Sequence, residues 1–396
     1  MHIPSQRIHR EMYSEEASLW FTLANGGDEE AILIKAPTAT IKAIIVGFEL
    51  SIVVGRHENY SCSGVRVFDV PGKPLLISGV QRYEDEHEAL RRILEKGTVP
   101  IFLFNEMDFC VASGEAQLDK NASLVAEKLL GGPDELYVGD FTKEASHALD
   151  NFDFTVDSTV IVEHQEKIDV GEIGLSVGPW IATKIAVTGV RAHKKVDITN
   201  KKEGDVLEAV TWAALESVFP LALHHSPQVI EGVKQRELID VVATYEYGTF
   251  LFESKDLSVL NVDRQRTQER RISTVKGHIR KALGQLKAAA KSVKRGDVVR
   301  NTDGEVIALN LSQPLHCVVL ITEFIEDGDW TDVLVEMYKA ALNTDCFFHV
   351  LDLREFVTLL KISKGDPRYF DHHLMGRSKF CVENELLHVR SRVKFA

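Results

Sequence analysis

The sequence predicts an α/β protein of two domains. An N-terminal α+β domain is expected over residues 1–200, and over 201–396 a second domain whose mixed sheet is flanked by helices. A chain of 396 residues exceeds the size at which a single hydrophobic core is ordinarily built. Its first half carries short apolar runs between turn signals, and its second half alternates strand-like and helix-like patterns. With 44% hydrophobic and 27% charged residues, the composition is globular and excludes a wholly disordered, collagenous or fibrous chain.

In the first half, residues 31–34, 41–46 and 101–104 read as strands, with turn signals at Asn25-Gly26-Gly27-Asp28 and Pro71-Gly72. Residues 84–96 place acids early and bases late, with Gly97 next, which suits the helix dipole and a C-cap. A second helix is expected over 122–130, ended by Gly131-Gly132-Pro133, and further strands near 158–162 and 184–190. The polar segment 199–205 marks the domain boundary, with Asp205 as N-cap of the next helix. Beyond it the expected order is helix 205–219, strand 238–245, a turn at Tyr247-Gly248, and strand 249–255. A long basic helix 264–294, a loop 295–305, strand 315–322, helix 330–342, strand 347–351 and helix 353–361 follow.

The longest apolar stretch, 43–54, is interrupted by Glu49 and is too short to span a bilayer, so no membrane partner is expected. Glu11, Glu15 and Glu16 follow the first residues where an export signal would need an apolar segment, and the chain reads as unexported. Five cysteines, with no Cys-x-x-Cys pair, suggest neither a disulfide framework nor a cysteine zinc site, and cytoplasmic placement is expected. Each cysteine reads as a small buried residue. The net charge of −13 divides unevenly: 19 basic against 31 acidic residues in 1–200, and 27 against 28 in 201–396. Within 264–300, twelve bases meet only Glu269 and Asp297, a stretch on which a polyanion can dock.

The chemistry concentrates in 236–256. A hairpin there carries Asp240 on its first strand and Glu253 and Lys255 on its second. Strand alternation sends Glu253 and Lys255 to one face, where Asp240 approaches them. Two carboxylates suit a hard cation, Mg²⁺ or Mn²⁺, completed by waters and phosphate oxygens, and a lysine beside it can orient water or stabilise developing charge. His224-His225 and His372-His373 are adjacent pairs whose rings diverge, without a third ligand at metal spacing, and there is no P-loop glycine pattern.

Asp240, twelve residues, then Glu253-Ser254-Lys255 within apolar strands resembles the PD-(D/E)xK nuclease superfamily, whose fold is restriction-endonuclease-like. Ile239 stands where the motif's proline would be. The resemblance covers roughly 200–365 and implies a Mg²⁺- or Mn²⁺-dependent hydrolase of phosphodiester bonds, an endonuclease with DNA favoured over RNA. It implies Asp240 and Glu253 as metal ligands, Lys255 assisting the water, and Glu208 on the preceding helix as a further catalytic acid and ligand, with Glu216 as competitor. Gln285 on the following helix resembles a substrate-positioning glutamine, one turn from Lys281 and near Arg280, Lys287 and Lys291, all expected at a nucleic-acid backbone. The first half resembles no family; recognition, regulation, or oligomerisation through a protein partner or self-association is its expected role. A microbial anti-phage defence effector would fit this pairing. The competing expectation is a catalytically inactive nucleic-acid-binding or scaffold protein that keeps the nuclease-like fold.

Overall fold

A computed structural model describes residues 2–69, 74–157, 165–190, 193–231, 234–255, 268–325 and 328–391, the side chains of Glu231 and Lys234 excepted. The protein is mixed α/β, with several sheets flanked by helices. It divides into two compact units, Met1–Thr183 and Lys184–Ala396. The division falls before the expected boundary at 200, because the hairpin β10 (Ile185–Thr188) to β11 (His193–Val196) packs on the first helix of the second unit. No described helix is long and apolar enough to cross a membrane.

The first unit runs α1 (Gln6–Ser14), β1 (Ser18–Ala24), β2 (Glu29–Lys35), α2 (Thr38–Ile45), β3 (Leu50–His57), β4 (Tyr60–Val67) and β5 (Leu75–Gln81). It continues with α3 (Glu84–Lys96), β6 (Thr98–Phe104), β7 (Cys110–Leu118), α4 (Lys120–Leu130), α5 (Lys143–Val156), β8 (Val170–Val177) and β9 (Ile181–Ala182). The strands form one sheet in the order β1-β2-β6-β7-β8-β3-β4-β5, with β9 beside β7. The pair β2–β6 is parallel. The terminal strands of this order, β1 and β5, pack together, so the sheet curls on itself. Helix α3 has the expected bounds: Glu84, Asp85 and Glu86 open it, and Gly97, at φ +72°, closes it in the left-handed region.

Residues 41–46 are a correction, for 41–45 lie in α2 and not in a strand. Every residue from Thr38 to Ile44 is buried, so the segment shows no polar face whose spacing could reveal a helical period. Glu106 starts the helix from elsewhere in the chain: its carboxylate accepts from the Thr38 backbone N–H at 2.7 Å and from the Thr38 hydroxyl at 2.6 Å. The expected strand 158–162 and the Pro71-Gly72 turn fall outside the described residues, apart from the flanking positions.

After β10 and β11, the second unit runs α6 (Glu203–Leu215), β12 (Leu223–His225), β13 (Gln228–Glu231), β14 (Lys234–Glu237), β15 (Val241–Thr244), β16 (Thr249–Lys255), α7 (Gln268–Lys294) and β17 (Val299–Arg300). Then come β18 (His316–Ile321), α8 (Thr331–Thr344), β19 (Phe347–Asp352), α9 (Leu353–Ser363) and α10 (Pro367–Glu383). The main sheet is ordered β12-β15-β16-β18-β19, antiparallel up to β16 and parallel from there. A small sheet β14-β13-β17 accompanies it, and its last strand lies inside the expected loop 295–305. Helix α6 begins at Glu203, so Asp205 lies in its first turn and is not its N-cap. Residues 264–267 of the expected basic helix lie outside the described residues.

Helices cover both faces of the main sheet, which is why β16 and β18 are almost wholly buried and why their apolar residues, 250–252 and 317–321, run without polar alternation. On one face, Val242, Leu251 and Val319 pack against Val275, Ile279 and Leu286 of α7, with α8 alongside. On the other, Phe250 lies within ring contact of Phe219, Phe252 and Phe370, with centroids 5.4, 6.2 and 5.5 Å away. Truncating Phe250, which is fully buried, removes the centre of that cluster. Phe250→Ala is expected to destabilise the second unit by about 3–5 kcal/mol, measured as a shift of its transition in urea.

Candidate active site

The hairpin β15–β16 builds the site. Val241 pairs with Phe252, which brings Asp240, just ahead of β15, beside Glu253 near the end of β16. The Ser254 N–H donates to Asp240 Oδ2 at 2.7 Å, and the Ser226 N–H donates to the Asp240 carbonyl at 2.7 Å. The Asp240 backbone in turn hydrogen-bonds the Glu253 carboxylate. Lys255 Nζ donates to Glu253 Oε1. By alternation, Glu253 and Lys255 share the face of Leu251, and Asp240 that of Val242, so all three stand on the α7 side.

Burial and charge act against the two acids. Glu253 is 1% exposed. Burial pushes the Asp240 carboxyl up to about 7, and the adjacent Glu253 charge adds to the rise. Burial also raises Glu253, while the hydrogen bond and charge of Lys255 pull it back.

Glu208 comes from α6, on the opposite face. It is held by His225, whose Nε2 lies 3.4 Å from Glu208 Oε2, and this bond draws the carboxyl below its usual range. His225 sits on β12 opposite Val241, so register places it on the face away from Asp240. Glu208 still contributes to the field at Asp240. Glu216 lies eight residues on, roughly 12 Å along the helix axis, and is the more remote of the two. Among the described residues no three His, Cys, Asp or Glu side chains converge closely enough to hold a metal.

Two buried carboxylates in mutual repulsion, with hard oxygen donors, fit a Mg²⁺-type ion. Such an ion is often held by one or two carboxylates and keeps waters or substrate oxygens at its other positions. Asp240 and Glu253 match that donor set; Glu208 does not join them in this arrangement.

The helix residues separate. Lys281 and Gln285 are exposed on α7. Arg280 is turned toward α8, with Nε 2.8 Å from Glu336 and Nη2 2.5 Å from Asp332, and Lys276 Nζ lies 2.8 Å from Asp332. Acids of α8 therefore offset part of the basic run. None of the described hydrogen bonds joins Lys281 or Gln285 to the trio. All five cysteines are free and buried.

The roles of two neighbours are not legible in the sequence. His225, weighed in the sequence only as a metal ligand, enters as the partner of Glu208 through the register of a three-residue strand, and Glu237, exposed in β14, raises Glu253 by its charge. Neither lies in a recognisable spacing; only pairing across strands brings them in. A comparison with protein-family models, curated proteins and solved structures matches none of them.

Asp240 makes a pH-dependent contribution of its own. Its carboxyl ionises near about 4 when unfolded and at about 7 when folded, so the folded state holds the extra proton between these values. The contribution of Asp240 to the stability of the second unit is therefore expected to fall as pH rises from about 4 to about 7 and to level off above; His349 and His388, buried neutral, act in the opposite sense, so it is read as the difference between wild type and Asp240→Asn. Asp240→Asn should remove that fall and raise stability above pH 7 by roughly 1–3 kcal/mol. Millimolar Mg²⁺ should stabilise the wild type and not the variant; thermal melts against pH, with Mg²⁺ or EDTA, measure both.

Proposed function

We propose that the second unit is a Mg²⁺- or Mn²⁺-dependent nuclease that hydrolyses phosphodiester bonds, with DNA the favoured substrate. The single observation that carries this reading is the convergence of Asp240, Glu253 and Lys255 on one sheet face. The two buried carboxylates are raised by burial and, at Asp240, by each other's charge, so they gain when a divalent cation takes the place of that repulsion. Bound there, the cation supplies a Lewis acid to phosphate oxygens and a more acidic water. Lys255 then places its ammonium where negative charge grows on the phosphate and where an attacking water can be oriented. Lys281 and Gln285 offer contacts to the nucleic-acid backbone, and such contacts give affinity without sequence choice. Restriction-endonuclease-like architecture belongs to the same proposal, as does service of the first unit in recognition, regulation or oligomerisation and a place in microbial anti-phage defence.

A second reading has one observation in its favour. Glu208 is engaged by His225 and stands apart from the two carboxylates, which suits a binding or scaffold protein that has the arrangement without turnover.

The test is cleavage of labelled single-stranded DNA, duplex DNA and RNA with Mg²⁺, Mn²⁺ or EDTA. Glu253→Gln and Lys255→Met are each expected to slow metal-dependent cleavage by about 10²–10⁴-fold while the protein stays folded. Binding without cutting, unchanged by either substitution, would sink the nuclease and leave the second reading.

Helix α7 gives a separate outcome. Lys281→Ala should weaken DNA binding for all sequences alike and reduce the slope of log affinity against log salt by about 1. Arg280→Ala should leave that slope nearly unchanged, because α8 already neutralises Arg280. Titrations of fluorescent DNA at several salt concentrations read the difference.

A further inference from the structure

Two thiols that the proposed chemistry leaves unused meet in the core of the second unit. Cys317 lies on β18, and Cys346 stands just ahead of β19, on the turn that follows α8. Cys317 pairs across the sheet with Phe348, and Cys346, two residues before Phe348, joins the same core cluster. The two side chains are hydrogen-bonded to each other. Cys346 Sγ donates to the Thr344 carbonyl at 3.3 Å, so its sulfur is the acceptor for Cys317.

The two thiols differ in access. Cys317 is 0% exposed, whereas Cys346 retains 5% and lines a cavity of about 320 Å³ beside α8 and α10. That volume is several times the roughly 30 Å³ a water takes up, and hydrogen peroxide is only a little larger than water. Ionisation separates them in the same order. The hydrogen bond from Cys317 draws the Cys346 thiol below its ordinary range, while burial pushes Cys317 well above it. The thiolate is the form that reacts with oxidants, so a peroxide entering the cavity meets Cys346 first, with the second thiol already in contact behind it. An S–S bond is about 2 Å long, shorter than a hydrogen bond between sulfurs, so closure requires one residue to shift. Cys346 lies outside the β18–β19 ladder, next to Asp345 at φ +50°, and its N–H makes only a long bond, 3.4 Å, to the Ala341 carbonyl. The movement falls to that turn.

We propose that Cys317 and Cys346 are a peroxide-reactive pair that closes reversibly into a disulfide within the chain, Cys346 reacting first and Cys317 resolving it. The Cys346 sulfur attacks one oxygen of hydrogen peroxide, the O–O bond breaks, hydroxide leaves and Cys346 becomes a sulfenic acid. The Cys317 sulfur then attacks the Cys346 sulfur, the S–O bond breaks, and the hydroxide leaves with the Cys317 proton as water. Two thiols and one peroxide give one disulfide and two waters; the sulfurs are oxidised and the peroxide is reduced. The bond closes a loop that contains α8. This pair does not depend on the chemistry proposed for Asp240, Glu253 and Lys255.

The test treats the folded full chain with hydrogen peroxide at neutral pH, removes the peroxide with catalase, blocks remaining thiols with iodoacetamide in denaturant, and reads the digest by mass spectrometry. Loss of two hydrogens from most chains is expected, in a peptide pair joined through Cys317 and Cys346 that dithiothreitol separates. In Cys317→Ala the resolving thiol is gone, so dimedone present with the peroxide should label Cys346. In Cys346→Ala, Cys317 should remain a free thiol. Circular dichroism shows which variants fold, and the wild-type result stands if neither does. A folded wild type that keeps both thiols, carries an oxidised Cys346 without the link, or joins Cys346 to Cys381, which lines the same cavity, would overturn the proposal. Oxidation of Cys317 in folded Cys346→Ala would overturn the order of reaction.

Discussion

The pairing of β15 with β16 is the constraint on which the second unit turns. It is a short antiparallel ladder, from Val241–Phe252 to Thr244–Thr249, yet it brings a carboxylate just before one strand beside a buried carboxylate on the other. A slip of one residue would send Glu253 and Lys255 into the aromatic cluster on the opposite face and bring Phe252 and Ser254 to the α7 side. Register is secured by the faces themselves. Phe250 and Phe252 need the aromatic cluster, while Leu251 needs α7, so the apolar pattern of β16 commits its two charged residues as well.

That commitment has an energetic consequence. Two carboxylates taken out of water close together oppose folding, and the structure answers with a lysine, two backbone N–H groups and a raised proton affinity at Asp240. A protein under no demand at this position would be more stable with neutral residues there. Carboxylates perturbed in this way gather at functional sites, and this is the physical support for the proposed chemistry of the hairpin. The basic helix beside it is a less direct signal. Several of its bases are met by acids, Lys276 and Arg280 by Asp332 and Glu336, Arg271 by Glu323 and Lys294 by Asp345, so charge counted along the chain overstates the charge presented to a ligand.

The polar groups at the other side of the main sheet differ in kind. Asp371, His316 and His349 form a chain of polar contacts, with His316 Nε2 3.1 Å from Asp371 Oδ1 and His316 Nδ1 3.1 Å from His349 Nε2. Nothing in the local sequence announces it: His316, His349 and Asp371 come from two strands and a helix, joined only by the parallel pairing of β18 with β19 and by α10 lying across them.

The sequence by itself determined the elements whose pattern is local. Helix α3 is legible from its charges and Gly97, β16 and β18 from their apolar runs, and Asp240, Glu253 and Lys255 from spacing on an expected hairpin. Only tertiary structure decided the rest. Residues 41–45 became helix in a segment buried from Thr38 to Ile44 and capped by the distant Glu106, so neither period nor propensity could identify them. The hairpin of β10 and β11 lies with the second unit because β11 packs on α6. Glu208 was legible as an acid on the right helix, but whether it joins the two carboxylates or His225 depends on which face of the sheet α6 covers. Spacing along a chain reports periodicity; which faces meet is settled by burial and pairing between segments distant in sequence.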